Sequence, residues 1–151
     1  MKSVLWLIFT WMRRSFAAVV LLVVMVVSLM DTTGMQAHEI QHLLAHFYRA
    51  TGILPDKVVH FLLYFGVCGA LWVGFPLRFW GRRSALWAFL FAVGWGCLME
   101  VFQGVCALLG WGARGFDFHD MFANGCGAFV ALLLCLGMSC VIERWVLRKA
   151  N

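Results

Sequence analysis

The chain has 151 residues, 64% of them hydrophobic and only 13% charged, with a mean hydropathy of +0.88. A soluble domain carries roughly 25% charged residues, so a soluble globular fold is excluded and a membrane protein is indicated. The net charge of +5 lies in short groups beside apolar runs, which reads as a topology signal and leaves nucleic-acid binding without a basis.

In chain order, a short apolar stretch, Val4–Met12, precedes Arg13 and Arg14 and a longer apolar run from about Ser15 to Met30. Val4–Met12 is too short to cross a bilayer and is expected to lie along the inner interface. Arg13-Arg14-Ser15-Phe16 ahead of an apolar run is similar to a twin-arginine signal; a retained signal anchor is the expectation. A second span is expected from about Val58 to Phe75, stopping at Pro76. A third runs from about Ala85 to Leu109 with Glu100 as its only charge, and a fourth from about Met121 to Ile142, ending at Glu143 and Arg144. Backbone groups inside lipid must be satisfied within their own segment, so each span is helical. The expected fold is all-α, a four-helix transmembrane bundle.

Four spans place the amino terminus, the second connection and the carboxyl tail on one side. Nine of the 12 basic residues fall there: Lys2, Arg13, Arg14, Arg78, Arg82, Arg83, Arg144, Arg148 and Lys149. The opposite side has Arg49, Lys57 and Arg114, together with Asp31, Glu39, Asp56, Asp117 and Asp120. The positive-inside rule therefore predicts both termini in the cytoplasm. Trp11, Trp80, Trp87, Trp111 and Trp145 fall near expected interfaces, as aromatic belts do.

The polar residues of the spans are few and converge. Asp56, Lys57 and His60 share a helical face at the start of the second span. Glu100 and Gln103 are three apart late in the third. Asp117, Asp120, Asn124 and Gly127 step by three, four and three into the fourth, a single stripe if that helix begins near Asp117. At 1.5 Å per residue, Glu100 lies about 26 Å from Arg83, His60 about 27 Å from Arg78 and Asn124 about 30 Å from Arg144. The hydrocarbon core is roughly 30 Å thick. Three helices thus bring polar groups to one level near the outer boundary. A charge such as Glu100 inside a span costs at least a few kcal/mol unless paired or hydrated. The arrangement is either a polar clamp between helices or a site open to the outside.

Asp56-Lys57-x-x-His60-Phe61, then Glu100-x-x-Gln103, then Arg114-x-x-Asp117-x-x-Asp120-x-x-x-Asn124-x-x-Gly127-Ala128 resembles the VanZ-like family, over about residues 56–131. The connection before Arg114 departs from the family, which often has Pro-Gly where this chain has Gly110-Trp111-Gly112-Ala113. The resemblance implies an integral protein of the bacterial cytoplasmic (inner) membrane with a cell-envelope role at the outer leaflet. The family's named member is associated with reduced susceptibility to the lipid-bearing glycopeptide teicoplanin. The resemblance supplies no reaction. It divides the chain into residues 1–55 (interfacial segment, first span and outer loop), a three-helix core over 56–145 and a tail over 146–151.

Three functions compete. In the first, Asp56, Lys57, His60, Glu100, Gln103, Arg114, Asp117, Asp120 and Asn124 form a site for membrane lipid or a lipid-linked or anionic envelope molecule. Lys57 and Arg114 would hold a phosphate or carboxylate, His60 would exchange protons, and the acids would orient them or act as acid and base. In the second, His38-Glu39-Ile40-Gln41-His42 fits the H-E-x-x-H zinc-protease pattern, with His46 one turn further on. The same segment also reads as an amphipathic surface helix with Ile40, Leu43, Leu44 and Phe47 on the membrane. In the third, the chain is a structural subunit whose Gly66-x-x-x-Ala70 and Gly127-x-x-x-Ala131 spacings pack helices closely. No glycine-rich phosphate loop is present, and no cofactor is expected. The six cysteines lie in apolar runs and read as small buried hydrophobes; Cys106 and Cys126 fall near the same face and could pair.

Overall fold

Punctuation in the sequence sets where the helices begin and end. The computed structural model describes residues 2–29, 45, 46, 48–52, 54–75, 81–111 and 115–150, without the side chains of 2, 3, 5, 6 and 146–150. Four long helices carry the fold: α1 over Lys2–Leu29, α2 over Pro55–Gly74, α3 over Arg82–Leu108 and α4 over Phe118–Ala150. No strand occurs among the described residues. Extended Leu54 precedes Pro55 at the first position of α2, where a missing N–H costs nothing. At the start of α3 the Ser84 hydroxyl donates to Gly81 O (2.9 Å) and accepts from Gly81 N (3.1 Å). Gly110, at φ +73°, takes the left-handed conformation that ends the turn after α3. Asp117 precedes α4 and accepts from His119 N at 2.8 Å, an N-cap.

All four helices are long and apolar enough to cross a membrane, over Leu7–Ser28, Pro55–Gly74, Arg82–Leu108 and Phe118–Trp145. Consecutive helices run antiparallel. Arg13 Nη1 donates to Phe75 O (3.0 Å), joining the first part of α1 to the end of α2. Gln103 Nε2 donates to Ser28 O, joining the ends of α3 and α1. Lys57 meets Asp120, joining the starts of α2 and α4.

The shortest helix, α2, is the centre: it packs on all three others, most extensively on α4. The core is built from Tyr64, Val67, Cys68 and Trp72 of α2, Ala85, Ala88 and Ala92 of α3, and Ala128, Ala131, Leu132 and Cys135 of α4, with Val24 of α1. Small residues on α3 and α4 permit close approach, the usual source of helix association in lipid. Closest of all is Gly127, where a Cβ would overlap the Phe61 carbonyl. Of the two small-residue spacings, Gly127/Ala131 lies in this contact, whereas a Cβ on Gly66 would meet nothing within 4 Å. Large apolar residues such as Leu90, Phe91, Phe102, Phe122 and Val141 face outward, as a lipid-facing surface requires. Trp11, Trp87, Trp111 and Trp145 are also exposed.

Two expectations change. Val4–Met12 is no separate interfacial piece: α1 is continuous from Lys2 to Leu29, since no Gly or Pro interrupts it. Cys106 and Cys126 are not joined, and all six cysteines are free.

Candidate functional site

The three-four-three stripe forms because Asp117 caps α4 and helix starts at Phe118. Asp120, Asn124 and Gly127 are consequently buried together against α2. On α2, His60 is one turn beyond Lys57 and faces the same stripe; Glu100 reaches it from α3. His60, Glu100, Asp120 and Asn124 are at most 7% exposed.

Lys57 Nζ donates to Asp117 Oδ2 and to Asp120 Oδ1, both at 2.6 Å, and lies 3.2 Å from Asp56 Oδ2. The ammonium therefore spends its donors on carboxylates. Lys57, expected to hold a phosphate or carboxylate, meets the carboxylates of Asp56, Asp117 and Asp120 here. His60 Nδ1 bonds Asn124 Oδ1 at 3.0 Å, and its Nε2 stands 3.5 Å from Asp120 Oδ2. Glu100 Oε1 is 3.9 Å from His60 Nδ1, while Oε2 accepts from Asp117 N at 3.4 Å. One ligand-type atom from each of His60, Glu100 and Asp120 lies within 4.8 Å of the other two.

Asp117 stands just outside the spans, and its carboxyl is held down to about 2. The Lys57 ammonium is the main cause, aided by the backbone N–H of His119. His119 itself is exposed and touches only the rim, with Nδ1 3.2 Å from Asp117 Oδ1.

Asp56, Lys57, His60, Glu100, Asp117, Asp120 and Asn124 are thus brought together at one end of the bundle. Gln103 is buried at the same level but turns to Ser28 O, tethering α1. Arg114 lies outside the described residues, as do His38 and His42 of the H-E-x-x-H segment; His46 is described and exposed.

Sequence reading missed Tyr64 and Gly96. The Tyr64 ring and the Asn124 amide meet over Gly96, where an added Cβ would lie 3.0 Å from Tyr64 Cε1 and 3.4 Å from Asn124 Nδ2. The available signals were the four-residue steps from His60 to Tyr64 and from Gly96 to Glu100, which place each on the face of its neighbour. An open groove of about 650 Å³ at the other end, beside Arg14, Ala17, Gly74, Phe75 and Trp87, is apolar and holds none of these groups.

Comparison with protein-family models, with curated proteins and with solved structures finds no match to the chain.

Proposed function

We propose that this chain is a multi-pass protein of the bacterial cytoplasmic membrane, with both termini in the cytoplasm, whose polar cluster engages the head group of a lipid-linked envelope molecule at the outer face. One observation carries the proposal. The cluster is unbalanced: among the described residues, Asp56, Asp117 and the buried Asp120 surround one ammonium, that of Lys57, with buried Glu100 beside them. A clamp serving only to join helices is best built from matched partners, because uncompensated buried charge is costly. A surplus of acids around a histidine suits a site that receives a cation, a proton or a polar head group. The sequence pattern that resembles VanZ-like proteins selects the same residues, and the basic residues gathered towards the opposite end support the orientation.

The test is complementation of a deletion strain, read by susceptibility to a lipid-bearing glycopeptide and by the lipid-linked precursor pool. His60→Ala, Asp120→Ala and Arg114→Ala are expected to abolish complementation at normal protein level. Full complementation by all three would overturn the proposal.

A second reading is favoured by the saturated Lys57: a structural clamp on which a partner subunit assembles. It predicts loss of complementation only in proportion to loss of thermal stability, whereas a site predicts loss in variants that still melt normally.

A further inference from the structure

We infer that His60, Glu100 and Asp120 form a binding site for one divalent transition-metal cation of the zinc type. The inference rests on reading the cluster as a site, and deepens it by naming what the surplus acids hold.

Tautomer comes first. Asn124 Oδ1 can only accept, so the 3.0 Å contact puts the proton on His60 Nδ1. Nε2 is then the ring atom left to face Asp120 Oδ2, 3.5 Å away. Two acceptors facing each other inside a bundle repel unless a proton or a metal cation joins them. A zinc-type ion bound at 2.0–2.1 Å in tetrahedral geometry separates its ligand atoms by about 3.4 Å. The observed spacing is close to that, and a Glu100 carboxylate oxygen lies within 4.8 Å of a ligand-type atom of each of the other two.

The outer partners also fit. A metal-binding histidine donates its other ring N–H to an oxygen, and ligating carboxylates are themselves hydrogen-bonded. Here His60 uses Asn124, Asp120 uses its Oδ1 on Lys57, and Glu100 uses its Oε2 on Asp117 N. Each ligand has one polar atom engaged outward and one left for the shared space.

A second observation is independent of the acids. The Tyr64 hydroxyl and Asn124 Nδ2 are fully buried and have no hydrogen-bond partner among the described residues. Tyr64 is one turn along α2 from His60, and its ring meets the Asn124 amide over Gly96, one turn along α3 from Glu100. Two orphaned donors beside three ligands fit an oxygen that completes the metal's shell, from water or from a phosphate head group. A nitrogen ligand together with two carboxylates favours zinc or manganese over magnesium or calcium.

The full chain, purified in detergent and stripped with chelator, is equilibrated with Zn2+ and assayed for bound metal by mass spectrometry. One equivalent is expected, resistant to a hundredfold excess of Mg2+. His60→Ala and Asp120→Asn should each weaken binding at least tenfold, while His38→Ala/His42→Ala should retain it. Co2+ substitution should give the intense visible bands of a four-coordinate site, bands that His60→Ala removes. Substoichiometric binding, binding unchanged in His60→Ala, or binding lost in the His38/His42 variant overturns the inference. Loss of complementation in His60→Ala without any metal bound would overturn the cation alone. Metal bound with complementation intact in all three site variants would uphold the cation and overturn the envelope function.

Discussion

Lys57 and Arg13 are both basic side chains drawn into the bundle, at opposite ends, and they are accommodated by different chemistry. Lys57 is held by three carboxylates, two of them at 2.6 Å. Arg13, 6% exposed, donates to the Phe75 carbonyl where α2 ends and lies 4.9 Å from the centre of the Phe9 ring. One end answers charge with charge; the other answers it with a helix terminus, whose last carbonyls lack partners and carry partial negative charge, and with an aromatic face. The first arrangement sets three acids around one ammonium, whereas the second joins a guanidinium to the end of a helix. That contrast separates a candidate site from a structural contact.

The largest effect is expected from removing the cation at the acid-rich end. Lys57→Ala leaves Asp120 buried beside Asp117 and Glu100 with no ammonium. Breaking a buried pair in this way costs about 3 kcal/mol, visible as a lower unfolding midpoint in detergent. Adding Asp120→Asn to Lys57→Ala should recover part of the loss, because the two side chains share one interaction. Purely additive losses would mean that Lys57 matters for something other than its acids.

Next is the close contact beneath the cluster. Gly127→Ala places a methyl group against the Phe61 carbonyl, and backbone offers no rotamer to move aside. The start of α4 must separate from α2, at about 2–3 kcal/mol, and His60 and Asp120 should part with it. Gly66→Ala is the control, since a Cβ there meets nothing within 4 Å. Equal behaviour of the two alanines would remove the close approach from the account.

Arg13→Ala should cost less than Lys57→Ala, about 2 kcal/mol, the range for a hydrogen bond to a charged group. It removes the hydrogen bond from the Arg13 guanidinium to the Phe75 carbonyl. Binding or complementation that depends on the acid-rich end should survive it in proportion to folded protein. A loss equal to that of Lys57→Ala would erase the difference between the ends.

Much of this contrast was legible in the sequence, but unevenly. The polar stripe on α4 could be read because Asp117, Asp120, Asn124 and Gly127 keep helical spacing in an otherwise apolar run. The meeting of three helices at one level followed from counting residues back to the arginines. Partners could not be read. Spacing places Lys57 and Arg114 on the same side but does not say that Asp117 and Asp120 occupy the lysine, a matter of which helices neighbour which. Gln103 shares a face with Glu100 yet turns to Ser28, whose carbonyl leaves no signature in sequence. Arg13 looked like a topology signal at the edge of a span; its burial depends on α2 ending at Phe75 beside it. The unbroken α1 is not visible in the sequence because a charged pair marks the edge of an apolar run without ending a helix, arginines being good helix formers.

The smallest effect tests the rim of the acid-rich end. Asp117 is partly exposed, and its carboxyl is held down to about 2 chiefly by Lys57. A folded-state value below the unfolded one means the contribution is present above the unfolded value, near 3.8, and fades as pH falls through about 2. Between pH 4 and 2 the protein should therefore lose stability as Asp117 takes up a proton, and Asp117→Asn should flatten that part of the profile. Solvent screening keeps the change small, so the readout is the slope of midpoint against pH. The Arg13→Ala variant should retain the wild-type slope, because Arg13 sits at the opposite end. An unchanged slope in Asp117→Asn would mean that the ammonium is held by Asp120 and Asp56 alone, and the rim would no longer belong to the charge-for-charge arrangement.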